Sequence, residues 1–111
     1  MNQSSLKMIK SVFVYQNEML KEIKVSGHAN YKKKGEDIVC AAVSTATLLT
    51  YNAIEHLKLD HLVECNVSDG FFHIRAHEDQ ETILALMKNL EYTLNDLEKQ
   101  YPKYMKNQKE G

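Results

Sequence analysis

The period of apolar and polar positions changes several times along this chain, and each change marks an element. Met8 to Tyr15 (MIKSVFVY) is rich in β-branched and aromatic residues, the composition of a strand. Gln16-Asn17-Glu18-Met19 is polar and predicts a turn. Leu20 to Ser26 then alternates, with Ile23 and Val25 on one face and Glu22, Lys24 and Ser26 on the other. The two runs form a hairpin. Ile38 to about Leu57 reads as a helix whose middle carries no charge on any face. Such a helix is covered on more than one side. His61 to Val67 and Phe71 to Ala76 are two further strands, joined by a Ser68-Asp69-Gly70 turn in which Asp-Gly is the strong signal. From Glu81 to Tyr101, Ile83, Leu86, Met87, Leu90, Leu94, Leu97 and Tyr101 recur at three- and four-residue steps, which predicts an amphipathic helix. Pro102 stops it.

The predicted order is β-β-α-β-β-α. Two successive β-β-α units define an α+β layer: a four-stranded antiparallel sheet with two helices on one face. The expected organisation is a flexible N-terminal extension over residues 1–7, one domain over 8–102, and a frayed polar tail over 103–111.

Composition narrows the function classes. The formal net charge is −1, so no global basic field argues for direct nucleic-acid binding. Met1 to Lys7 lacks the apolar core of a signal peptide. The longest uncharged run, Ile38 to Ile54, contains Ser44, Thr45, Thr47, Thr50 and Asn52, so no membrane segment is expected. Both observations point to the cytoplasm. Two cysteines are too few for a disulfide scaffold. A chain of 111 residues buries a modest core, and pairing with a second copy would help.

The candidate chemistry lies between the first strand pair and the first helix. His28 ends the strand run in Gly27-His28-Ala29, and Cys40 opens the helix in Gly35-Glu36-Asp37-Ile38-Val39-Cys40-Ala41-Ala42-Val43-Ser44. A thiol in the first turn of a helix meets unpaired N–H groups and the positive end of the macrodipole. Both favour thiolate, the nucleophilic form, as does a neighbouring imidazolium. The spacing therefore suggests a cysteine nucleophile with a histidine base. Each residue also has a plainer reading. Cys40 would serve as a small buried hydrophobe, and His28 as a strand-end surface residue. Asp37 can cap the helix or orient the His28 ring. Ser44, one turn after Cys40, can allow close packing or hydrogen-bond near the thiol. Gly27 fits a special backbone conformation beside His28. Asn30 to Glu36, with three lysines and Gly35, is either a solvated connection or a mobile flap beside Cys40.

The rest of the chain carries little chemistry. Cys65 lies mid-strand and reads as structural. His56, His61, His73 and His77 lack the tight spacing of a zinc motif, so neither a metal nor another cofactor is expected. The glycines are too scattered for a phosphate loop.

Gly27-His28-Ala29 followed by Gly35 through Ser44 resembles the ribosomal-processing cysteine protease family, Prp (YsxB-like). The similarity extends from about Met8 to the second helix. The resemblance implies a homodimeric bacterial endopeptidase that removes a short N-terminal extension from large-subunit ribosomal protein 27, cutting after an aromatic-containing segment. It makes Cys40 the nucleophile and His28 its partner, with Gly27, Asp37 and Ser44 supporting. Two departures stand out: relatives usually begin near Met8, and a glycine is frequent in their first hairpin turn, where Gln16 to Met19 has none. The alternatives are a non-catalytic ribosome-associated binding module on the same fold and a thiol redox protein using Cys40. The redox alternative needs a resolving thiol, for which Cys65 is poorly placed.

Overall fold

The computed structural model describes residues 8–27 and 34–111, with the backbone alone for 34–37. Strands β1 (Ile9–Gln16) and β2 (Met19–Ser26) form the predicted antiparallel hairpin. Its turn has two residues, Asn17 at φ 52° and Glu18 at φ 65°. Two successive positive φ angles give the turn whose twist matches the strands. Asn17 tolerates that region, whereas Glu18 is strained there by about 1–2 kcal/mol. Glu18→Gly is therefore expected to stabilise the fold by about 0.5–1 kcal/mol, after the entropy that glycine loses. Urea denaturation checks this: a higher midpoint at constant slope is the expected result.

The alternation of β2 is interrupted by a bulge. Val14 pairs with Glu22 and Tyr15 with Leu20, which leaves Lys21 as the extra residue. For this reason Leu20 and Ile23, three apart, are both buried.

Helix α1 spans Lys34–His56 and α2 spans Glu81–Gln100. Between them a short 3-10 turn, Asp60–Leu62, leads into β3 (Val63–Ser68), which pairs with β4 (Phe71–Ala76). Gln80 caps α2 by accepting from the Ile83 N–H at 2.8 Å.

Two expectations are corrected. The sheet has five strands and is mixed, in the order β3-β4-β2-β1-β5, rather than four-stranded and antiparallel. The fifth strand, β5 (Met105–Glu110), comes from the expected polar tail and runs parallel to β1. It reads as a tail because an edge strand needs few apolar residues. Met105 alone is buried, at 2% exposure. Asn107 supplies the second anchor: its backbone N–H donates to Glu98 Oε2 (2.8 Å), and its Nδ2 donates to the Leu94 carbonyl (2.9 Å) and to Asn95 Oδ1 (3.0 Å).

Both helices pack on one face of the sheet. Phe13, Ile23 and Ile74 from the strands join Val39, Ile54, Ile83, Met87, Leu90 and Leu94 in one buried cluster, while the alternate positions Lys10, Lys24 and Arg75 stay exposed. The single stripe that α1 buries is Val39, Val43, Thr47, Thr50 and Ile54; Ile38, Leu48 and Leu49 are left exposed. Ile38–His56 is by length and composition apolar enough to cross a membrane, and this stripe is the part of it that packs into the core.

Candidate active site

Along one end of the sheet, α1 and the β3–β4 turn enclose a cleft of about 310 Å³. One wall is the helix, with Cys40, Ser44, Thr47 and Leu48 at i, i+4, i+7 and i+8. Val67, Ser68, Asp69, Gly70 and Phe71 make the facing wall, and Val25, Gly27 and Ile9 close the floor. The two hairpins are tied together at this point, where the Gly27 N–H donates to the Gly70 carbonyl at 3.0 Å.

Gly27 is required there on two counts. Its φ is +99°, in the region L side chains rarely adopt, and a Cβ would lie 2.6 Å from the Met8 carbonyl oxygen. The chain therefore leaves β2 toward His28 along a path that only glycine allows.

The helix start differs from expectation. Because α1 begins at Lys34, Asp37 falls within its first turn instead of capping it, and Cys40 lies in the second turn. The N–H groups without an intrahelical acceptor belong to the first turn, so the macrodipole acts on Cys40 from one turn further away than expected. Lys34 and Glu36 are good helix formers, and the helix runs back beyond the Asp signal despite Gly35.

The structure thus brings Gly27, Cys40 and Ser44 to one cleft. His28 and the side chain of Asp37 lie outside the described residues. So do Asn30 to Lys33 of the expected flap, whereas Lys34 to Glu36 are already helical. Sequence reasoning missed Thr47 and Leu48, although the helical spacing from Cys40 contains them. It also missed the β3–β4 wall. Pairing of β4 with β2 puts that turn beside Gly27, and no local pattern announces such a pairing.

Cys65 differs from Cys40 in its surroundings. It is half-buried on β3, and desolvation followed by the nearby Glu55 carboxylate pushes its thiol up to about 11. At neutral pH about one molecule in ten thousand carries a Cys65 thiolate. Iodoacetamide at pH 7 is therefore expected to label Cys40 first. Labelling of Cys65 should rise about tenfold per pH unit until pH approaches 11. Peptide mapping after timed alkylation checks this, and equal rates at pH 7 would contradict it.

Among the described residues no group of three His, Cys, Asp or Glu side chains is placed to hold a metal ion. His73 Nε2 instead meets Glu22 Oε1 at 2.8 Å on the open sheet face, and His56 Nδ1 meets the Asn52 carbonyl at 2.8 Å.

A helix-borne thiol lining an open cleft stands where an extended chain can reach it. The profile described as cysteine protease Prp matches residues 8–106, and the chain belongs to that family. The ribosomal processing protease Prp from S. aureus, solved in complex with a substrate peptide, is 25% identical with a TM-score of 0.82, over 93% of this chain and 100% of that one. SMU.848 from Streptococcus mutans is 25% identical with a TM-score of 0.78, over 94% and 95%. A second S. aureus Prp structure, with a covalently linked product peptide, shares the fold at 24% identity and a TM-score of 0.78, over 93% and 100%. No protein of curated function matches the chain.

Proposed function

We propose that this chain is a cytoplasmic cysteine endopeptidase that removes the N-terminal extension of large-subunit ribosomal protein 27 during ribosome assembly. The observation that carries the reading is Cys40 lining an open cleft in a chain of the Prp family. The S. aureus relative, a ribosomal processing protease with a substrate peptide, supports the substrate class. Leu48 on the helix and Val67 on the facing wall give the cleft apolar sides suited to an aromatic side chain beside the scissile bond.

In this reading His28 takes the Cys40 proton, and the thiolate attacks the scissile carbonyl. The N–H groups of the first turn of α1 are the donors the helix leaves open to the oxyanion. Collapse breaks the C–N bond, and the proton held by His28 goes to the leaving amine. Water, deprotonated by the same imidazole, then hydrolyses the thioester and restores the thiol. Gly27 fixes the path into His28, while Asp37 and Ser44 support the pair.

The proposal includes a homodimer. Leu49 on α1 and Tyr92 on α2 are 67% and 73% exposed, and Leu57 is exposed as well, which leaves apolar surface for a second copy. Sedimentation at micromolar concentration is expected to give twice the mass of one chain; a monomer would contradict this part.

Incubation with the immature ribosomal protein, followed by mass spectrometry of the products, tests the substrate. One cut that releases the N-terminal extension is expected. An intact substrate, or cuts scattered along it, would overturn the proposal.

A further inference from the structure

Among the described residues that line the cleft, Asp69 is the one that carries a charge; the others are apolar, small or hydroxyl-bearing. It sits at the tip of the β3–β4 turn, on the wall that faces Cys40. The ion pairs among the described residues engage Lys21, His73, Arg75 and Lys88, and none of them uses Asp69. The turn explains the residue type only in part. Gly70 takes the positive φ, +73°, and Asp-Gly is a common pair there, but Asn-Gly serves such a turn equally well. What asparagine would lack is the charge. Beside it stands Val67, 55% exposed and in register with the buried Phe72 on the sheet face that the helices cover, so an apolar side chain adjoins the carboxylate. A charge at the mouth of a cleft with low-dielectric walls acts on what enters more strongly than the same charge on a flat surface.

We propose that Asp69 selects substrates that carry a lysine or arginine close to the scissile bond. This rests on the endopeptidase reading of the same cleft and adds a determinant to it: apolar contacts with Leu48 and Val67 on one hand, a cationic partner for Asp69 on the other. The residue contacts substrate and takes no part in bond making.

The test separates binding from cleavage. A set of labelled peptides based on the immature terminus, with lysine or glutamine placed in turn at each position flanking the cut, is titrated against Cys40→Ala protein and against Cys40→Ala/Asp69→Asn protein. Fluorescence anisotropy reads the affinities. At one position the lysine peptide is expected to bind about threefold to fivefold more tightly than its glutamine partner, the size of a partly solvated ion pair. The preference should fall as salt rises. Asp69→Asn should bring the ratio to about one, and Asp69→Lys should favour a glutamate peptide instead. A lysine preference that survives Asp69→Asn, or no preference at any position, overturns the proposal. Cleavage of the same peptides by protein with Cys40 intact is scored separately, so absence of turnover would count against the endopeptidase reading and leave the binding ratio to decide on Asp69.

Discussion

Cys40→Ala is expected to lower kcat/KM for an internally quenched substrate peptide by at least about a thousandfold, because without the sulfur no acyl-enzyme can form. The fold should survive. Cys40 is half-buried at the edge of a cleft rather than inside the core cluster, so loss of its sulfur leaves an existing opening slightly wider. Circular dichroism and the thermal midpoint should match those of the unaltered protein. His28→Ala is the companion variant. Loss of the group that carries the proton both ways should cost about a hundredfold to ten-thousandfold, again with an intact fold. Residues that act as a unit do not add, so the double variant should be little worse than Cys40→Ala alone. Retained turnover in His28→Ala would move the base elsewhere.

The second large effect is on stability. Gly27→Ala forces an L side chain to φ +99° and drives its Cβ to within 2.6 Å of the Met8 carbonyl oxygen, a backbone atom that cannot rotate away. The N-terminal end of β1 must shift, and the hydrogen bond from the Gly27 N–H to Gly70 shifts with it. A loss of about 2–4 kcal/mol is expected, read as a fall of about 10 °C or more in thermal midpoint. Because the same strain displaces the chain that enters His28, turnover at a temperature where the variant is still folded should fall as well. Ser26→Ala, one residue earlier and solvent-exposed, is the control and should change neither.

Much of this was legible in the sequence, and the exceptions have physical reasons. The β1–β2 hairpin, the β3–β4 hairpin and α2 were readable because alternation, Asp69-Gly70 and the Ile83–Leu94 stripe are local signals. β5 was not, since an edge strand buries Met105 and little else and is held through Asn107 to α2. The start of α1 was misplaced because Asp37 looks like a cap while the residues before it are also compatible with helix. Of the residues singled out in sequence, Gly27, Cys40 and Ser44 line one cleft, while His28 and the side chain of Asp37 lie outside the described residues. Thr47 and Leu48 follow from helical spacing once Cys40 is taken as an anchor. Asp69 could be read only as a turn residue, because the β2–β4 pairing that brings it to the cleft is a long-range event.

The central claim is that Cys40 is the nucleophile of a peptide-bond hydrolase. Acid quenching of the protein within the first turnover of a substrate peptide, followed by digestion and mass spectrometry, tests it most directly. The account predicts a transient thioester on the fragment that contains Cys40, with the mass of the segment N-terminal to the cut. An adduct on Cys65 or another side chain, or turnover by Cys40→Ala protein, would contradict it.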